Sequence, residues 1–389
     1  MDASRKSPPQ VLIVAGESSG DLHGSHLIRA AAKNHPGIGF FGVGGQRMRE
    51  AGCRLVFASD ELSVMGVAEV VLQLPRIVSR FRQLARILRG SQPPQLLVLI
   101  DFPDFNLRLA AVAKKHGIPV LYYISPKVWA WRAGRARTLA RRVDRLALIF
   151  PFEPDIYRPL GVAADYVGNP LLDEFAACPP SGTLRDQLNI APDTEVIGIF
   201  PGSRKSELNT ILPTLIATAR ELHGRRPEAV FLMPLAPSLS RSELEGRLQG
   251  ESLPLYIVEA NIYEVATACA AVLTVSGTVT LQLALVQTPM AVVYRVAPAS
   301  YTIGRLLIKT PFISLPNIVA GREVVREFIQ HDANAQALSV EVTRLLDDAD
   351  YARQMRDDLG DVTRRLGEPG CSRRVADMVA EMVAETETG

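Results

Sequence analysis

Ten short apolar runs punctuate the chain: VLIVA (11–15), FFGVG (40–44), LLVLI (96–100), VLYYI (120–124), LALIF (146–150), VIGIF (196–200), VFLM (230–233), LYIV (255–258), AVLTV (271–275) and MAVVY (290–294). Each is continuous rather than alternating, the pattern of a parallel strand buried on both faces. Longer amphipathic stretches separate them and predict right-handed β-α-β winding. The stretch AACPPSGTLRDQLNIAPDT (176–194) is rich in Pro, Gly and small polar residues and reads as a linker, with a short helix at 184–188. On each side of it the pattern restarts with a strand, a tight turn and a helix, as VLIVA-GESSGD and as VIGIF-PGSRKSE. After about residue 330 only helical patterns remain, ending in RRVADMVAEMVAE. The economical architecture is α/β, with two Rossmann-like doubly wound domains facing a cleft. The N-terminal domain is expected over 1–180 and the C-terminal domain over 190–350. Helices over 351–389 are expected to pack across the domains or onto a partner subunit.

Composition narrows the class. The 389 residues are 47% hydrophobic and 22% charged, enough apolar material for two globular cores. A net charge of +2 gives no overall field for nucleic acid. Cys53, Cys178, Cys269 and Cys371 are scattered and form no C-x-x-C, so reduced thiols in a cytosol are expected, with no metal site. The first residues hold too short an apolar stretch for a signal peptide, and no run approaches the roughly 18 apolar residues of a membrane span. A cytoplasmic, non-transmembrane protein is expected.

The two strand-to-helix turns differ in chemistry. In PGSRKSE (201–207), Gly202 permits close backbone approach and Ser203 and Ser206 can cap or hydrogen-bond. Arg204 and Lys205 add positive charge at a helix start, where free N–H groups already favour an anion. The other reading is a solvated basic turn. In the same half, VSGTVTLQLAL (275–285) puts Ser276, Gly277 and Thr278 between a strand and a helix. Two such turns at one sheet edge suit a diphosphate and its nucleoside. The first turn, AGESSGDLHG (15–24), carries Glu17, which repels a diphosphate. Glu17, Ser18 and Asp21 suit sugar hydroxyls instead, although Ser18 and Asp21 serve equally well as helix caps. A donor half and an acceptor half is the logic of a glycosyltransferase.

LLVLIDFPDFN (96–106) ends a buried strand with Asp101, and an attacking sugar hydroxyl needs a base in the acceptor half. Asp101 is the first choice and Asp104 the reserve; the alternative is that either simply ties loop N–H groups. The stretch 73–90 has a helical period that groups Leu74, Ile77, Val78, Phe81, Leu84, Ala85 and Leu88. Arg76, Arg80, Arg82, Arg86 and Arg89 lie elsewhere on it, with no acid among them. That suits a helix lying on anionic lipid, or a core-facing surface helix with a solvated basic side. WAWRAGRARTLARR (129–142) is also basic, and Trp129 and Trp131 are suited to base stacking.

The strings AGESSGDLHG, VMGVAEV (64–70), DFPDFN, SPKVWAWR (125–132), FPFE (150–153), VGNPLLD (167–173), PGSRKSE, SGTVTLQ (276–282) and SLPNIVAGREVV (314–325) are collinear over most of the chain. Together they resemble the lipid-A-disaccharide synthase family, membrane-associated glycosyltransferases of Gram-negative envelope synthesis. The resemblance implies a GT-B fold and an inverting transfer that uses no metal or other cofactor. The donor would be UDP-2,3-diacylglucosamine and the acceptor 2,3-diacylglucosamine 1-phosphate. The products would be a β-1,6-linked disaccharide 1-phosphate and UDP. It also implies peripheral association with the cytoplasmic face of the inner membrane, homodimers that exchange C-terminal segments, and no nucleic-acid partner. By matched motif, Asp101 would be the general base and Arg204 would stabilise the leaving UDP. Gly202, Ser203, Ser276, Gly277, Thr278, Gln282 and Asn317 would bind the donor. Glu17, Ser18, Met65 and Gly66 would face the acceptor sugar. Leu74, Ile77, Phe81, Arg76 and Arg80 would meet acyl chains and the bilayer.

Two positions depart from the family pattern. Gln282 stands where Glu often holds ribose hydroxyls; an amide still accepts a hydrogen bond but lacks the charge, so exchange for Glu is expected to tighten donor binding. Asn169 stands where His is common, and cannot titrate near neutral pH. Two other classes of function stay open on sequence alone. One is a UDP-sugar epimerase, or a transferase for a soluble acceptor, against which VMGVAEV and the basic helix weigh. The other is a catalytically silent sugar-nucleotide sensor, against which Asp101 weighs.

Overall fold

The computed structural model describes residues 8–62, 67–130, 134–297, 301 and 310–388. The chain divides into two compact units, one of Met1–Asp173 with Glu368–Gly389, the other of Glu174–Gly367. The first holds seven parallel strands: β1 (Gln10–Ala15), β2 (Gly39–Gly44), β3 (Arg54–Ala58), β4 (Leu96–Ile100), β5 (Val120–Tyr123), β6 (Arg145–Leu148) and β7 (Ala163–Tyr166). Their spatial order is β3-β2-β1-β4-β5-β6-β7. The second holds six: β8 (Val196–Phe200), β9 (Val230–Pro234), β10 (Leu255–Val258), β11 (Ala271–Val275), β12 (Met290–Tyr294) and β13 (Arg326–Ile329), ordered β10-β9-β8-β11-β12-β13.

In both sheets the winding reverses beside the first strand, between β1 and β4 and between β8 and β11. Chains leave these neighbouring strands in opposite directions, which opens a crevice at their carboxyl ends. The four strands that flank the reversals are buried almost throughout. Val11 to Ala15 and Leu96 to Ile100 are fully buried, and β8 and β11 are buried along their whole length.

All ten expected strands form. The three that the hydrophobic pattern misses, β3, β7 and β13, each lie at the edge of a sheet. RLVFA, AADY and REFI are mostly exposed or half-buried, with at most one buried residue each, because an edge strand lacks a covering neighbour on one side.

The boundary between units falls inside the helix Pro170–Ala177, ahead of the linker read at 176–194, whose short helix spans Leu184–Gln187. The C-terminal helices part company. Ala349–Arg365 stays with the second unit, against the helix Thr278–Leu285, and Thr363 donates its hydroxyl to the Ala284 carbonyl (3.1 Å). Cys371–Thr388 belongs to the first unit. Its Val375, Val379, Met382 and Val383 share one apolar cluster with Leu27, Ile28 and Ala31 of the helix Ser18–Asn34. Asp173 caps it by accepting from the Cys371 and Ser372 N–H groups (3.2 and 2.9 Å), and His35 meets Asp377 at 2.7 Å. Among the described residues no helix is long and apolar enough to cross a membrane.

This helix covers one face of the N-terminal sheet, so its core contacts should govern that unit's stability. Val379→Asp places an unpaired carboxylate at a fully buried position and is expected to cost about 3 kcal/mol or more. Thermal unfolding followed by circular dichroism should show a lower first transition; an unchanged melting profile would mean that the helix does not seal the core.

Candidate active site

The N-terminal reversal brings two turns together at its carboxyl edge. Glu17 follows β1 at the N-cap of the helix Ser18–Asn34, exposed, with no side-chain capping bond. Ser18 is exposed in the same turn. Asp21 resolves the choice left open between cap and sugar ligand. It is buried and accepts from the N–H groups of Gly45, Arg47 and Met48 (2.6, 3.2 and 3.0 Å), so it caps the neighbouring helix Gln46–Glu50.

Asp101 stands directly after β4. Asp101 and Phe102 both adopt the left-handed backbone, φ +45° and +48°. Each such residue costs about 1–2 kcal/mol outside glycine. The turn is held all the same. Tyr122 Oη and Asn106 Nδ2 both donate to the Asp101 carbonyl (2.6 and 2.7 Å), and the Asp101 N–H donates to the Tyr123 carbonyl (3.2 Å). The strained turn lays the Phe102 ring on Gly16, where a Cβ would sit 2.4 Å from the ring. Gly16 therefore makes room for an aromatic ring, not for a phosphate. Partial burial and the nearby Glu17 raise the Asp101 carboxyl to about 6, against the opposing pull of the Phe102 N–H and Lys127. Asp104 lies 79% exposed in the first turn of the helix Pro103–Lys115 and pairs with Arg135.

A second carboxyl in this unit was not singled out from the sequence. Glu153 is buried and accepts from the N–H groups of Ile149 and Phe150 (3.2 and 3.1 Å) and from Trp129 Nε1 (3.3 Å). Burial raises it to about 7, and Lys127 acts on it as on Asp101. It thus ties the loop after β5 to the loop after β6. Trp129 packs edge-on against Phe150 and Phe152, centroids 6.0 and 5.5 Å away, so its ring is committed to the protein. Asn169 also works internally: its amide donates to the Ile149 carbonyl and accepts from the Leu171 N–H.

In the C-terminal unit the two expected turns follow β8 and β11, on either side of the reversal. Glu207 enters the first one. Its carboxylate accepts from the Ser203 and Arg204 N–H groups (3.1 and 3.2 Å). Gly202, at φ +95°, is required here because a Cβ would sit 2.2 Å from Glu207 Oε2. The N–H groups read from sequence as phosphate donors are thus already bound to an internal carboxylate, which completes a capping box at the helix Lys205–Arg225. The Arg204 side chain stays 75% exposed and meets Glu207 at 3.1 Å. At the second turn, Thr278 is exposed at the start of its helix, whose N-cap Gly277 makes no side-chain capping bond. Ser276 donates its hydroxyl to the Ile313 carbonyl (3.0 Å).

Asn317 corrects its expectation. It is fully buried; its Nδ2 donates to the Val325 carbonyl and Glu327 (both 2.8 Å), and its Oδ1 accepts from the N–H groups of Val324 and Val325. Every hydrogen-bonding position of the amide is filled, so Asn317 does not face a ligand. Glu327 also receives the Ile313 and Ser314 N–H groups, so Asn317 and Glu327 hold the loop on which Ser276 rests. Gln282 is half-buried and donates to Glu174 (3.3 Å).

The basic helix, Val67–Leu88, divides its expected residues differently from the lipid-facing reading. Ile77 and Phe81 pack against the core, Phe81 edge-on to Phe105 at 5.5 Å. Arg76 and Arg80 pair with Glu61, which lies outside the helix and so escaped the pattern (3.3 and 2.8 Å). Among the described side chains of this helix, Leu74 (51% exposed) and Val78 (37%) are the large apolar ones left facing outward. Met65, Gly66 and Trp131 lie outside the described residues.

Comparison with known proteins follows the same lines. A family model described as lipid-A-disaccharide synthetase matches residues 11–382. A lipid-A-disaccharide synthase of Syntrophotalea carbinolica is 53% identical over 381 residues, covering 98% of this chain and 97% of the relative. One of Geobacter sulfurreducens is 44% identical over 376 residues, covering 97% and 98%. Among solved structures, a putative UDP-N-acetylglucosamine 2-epimerase from Listeria monocytogenes shares the fold, with a TM-score of 0.65 at 14% identity and 97% of each chain covered.

The Asp101 environment has a measurable stability cost. Its folded-state pKa of about 6 lies above the ordinary value of 3.8. The folded protein therefore holds that proton more tightly, and stability falls as pH rises from about 4 to about 6, by up to about 3 kcal/mol. Asp101→Asn should raise the melting temperature of the N-terminal unit at pH 7.5, and the gain should shrink below pH 6 and vanish near pH 4. A pH-independent difference would mean that Asp101 is not held at a raised pKa.

Proposed function

This chain belongs to the lipid-A-disaccharide synthase family of glycosyltransferases, and from that premise we propose that it joins UDP-2,3-diacylglucosamine to 2,3-diacylglucosamine 1-phosphate with inversion. The observation that carries this reading is Asp101, a carboxyl raised to about 6 and fixed at the carboxyl end of β4 beside Glu17. A general base works best when its pKa lies near the working pH. As the acceptor 6-hydroxyl attacks the donor's anomeric carbon, its proton passes to the Asp101 carboxylate. The bond from that carbon to the UDP oxygen breaks, and the electron pair leaves with UDP. Glu17 both raises Asp101 and offers acceptor oxygens to sugar hydroxyls.

On the donor side, the exposed Arg204 guanidinium stabilises the charge that grows on the departing diphosphate. Thr278 and the N–H groups at its helix start supply further donors to phosphate. No step in this scheme needs a metal or cofactor. The acyl chains and the membrane surface belong to the N-terminal unit, where Leu74 and Val78 face outward on the helix Val67–Leu88.

Purified protein mixed with both substrates in detergent, with no added metal, should release UDP and yield a disaccharide phosphate detectable by mass spectrometry. kcat/KM should rise with pH through about 6 as Asp101 deprotonates. Asp101→Ala should lower turnover at least about 100-fold and leave UDP affinity unchanged, because the base serves the acceptor. Arg204→Ala should weaken UDP binding and turnover together. UDP binding without disaccharide would favour the silent-sensor reading, and unchanged kinetics in Arg204→Ala would remove that residue from the site.

A further inference from the structure

Gln282 lies one turn after Thr278 on the helix Thr278–Leu285, so both project from the same helix face. Its neighbour is a carboxylate. Gln282 Nε2 donates to Glu174 Oε1 at 3.3 Å, and both side chains are half-buried. The buried Tyr263 hydroxyl lies beside the two, and the Tyr263 ring is fixed edge-on to Phe175, centroids 5.0 Å apart. A primary amide has one donating end and one accepting end, and nothing in its own shape decides which faces outward. Glu174 decides it: a carboxylate accepts only from the NH2 end, which turns the Oε1 end away from Glu174.

We propose that Glu174 is a positioning residue for the sugar nucleotide, which turns Gln282 so that its carbonyl oxygen accepts a hydrogen bond from a ribose hydroxyl. The inference rests on the proposed donor site and adds a residue to it. Ribose hydroxyls are donors, and a flipped amide would offer them NH2 instead. The Gln–Glu pair thus keeps an acceptor at position 282 and leaves the negative charge on Glu174. This reverses the expectation drawn from sequence for Gln282→Glu. A carboxylate at 282 would stand against Glu174, whose pKa burial already raises, and like charges at that range repel until one takes up a proton.

The test is a double-mutant cycle read by calorimetry with UDP and 2′,3′-dideoxy-UDP. Wild type should prefer UDP about tenfold or more, since a site built to bond a hydroxyl rejects the analogue that lacks it. Glu174→Ala should cut that preference about threefold or more, while Glu174→Gln, whose carbonyl still accepts from Gln282, should keep most of it. Gln282→Glu alone should weaken UDP binding at neutral pH, and adding Glu174→Gln should restore it. Dideoxy-UDP affinity should change little throughout, which a general loss of structure would not allow; melting curves check folding, and the Gln282→Glu pair carries the test if Glu174→Ala is unstable. Wild type that binds UDP while the preference is unmoved in Glu174→Ala, or purely additive effects in the cycle, would overturn the positioning role alone. Folded wild type that binds no UDP would overturn the donor-site reading and this inference with it.

Discussion

A parallel sheet buried on both faces leaves one place where side chains and backbone donors can meet a ligand. That place is the carboxyl edge where the winding reverses. Both units of this chain are built around that constraint. Val11–Ala15 and Leu96–Ile100 have no exposed surface, and β8 and β11 are nearly as dry. Polar side chains are therefore displaced to the turns that follow them: Glu17 and Asp101 in one unit, Arg204 and Thr278 in the other. The same architecture carries opposite electrostatics in the two halves. One reversal gathers the Glu17 and Asp101 carboxylates, the other the exposed Arg204 guanidinium and the Thr278 hydroxyl, as expected if one unit serves a hydroxyl-bearing acceptor and the other an anionic donor.

On the proposed reading, Asp101 shows what the protein gives up for that chemistry. Its turn uses two consecutive left-handed residues, and its carboxyl is partly desolvated next to Glu17. Neither feature favours folding. They persist because Tyr122, Asn106 and the Tyr123 carbonyl over-determine the backbone, and because Phe102 fills the space above Gly16. Strain and a raised pKa at one residue, held by three neighbours, are more readily explained by a catalytic role than by a loop that merely closes a strand.

The strands on either side of the reversals were legible in the sequence because full burial writes an unbroken apolar run. The edge strands β3, β7 and β13 were not, because half-exposed positions erase it. At the site, the turns and Asp101 could be placed from their position after such runs. What could not be read was which polar groups the protein uses on itself. Asp21 caps the helix Gln46–Glu50, 25 residues or more ahead in the chain. Asn317 is consumed by Val324, Val325 and Glu327. Glu61 neutralises arginines that look unpaired within their own helix. These are long-range or cross-element contacts between residue types equally suited to a ligand, and local spacing carries no trace of them.

Glu207 is the most informative of these internal partners. A turn of the form PGSRKSE invites the reading that backbone N–H groups cradle a phosphate, yet Glu207 already occupies the Ser203 and Arg204 N–H groups. A diphosphate pressed into that turn would meet a carboxylate. On the proposed reading, anion recognition there falls to the Arg204 side chain, which is 75% exposed. A guanidinium shared with Glu207 at 3.1 Å has an alternative partner before charge develops on the leaving group. On the proposed reading it gains most when that charge is largest, which is the differential stabilisation that speeds a transfer.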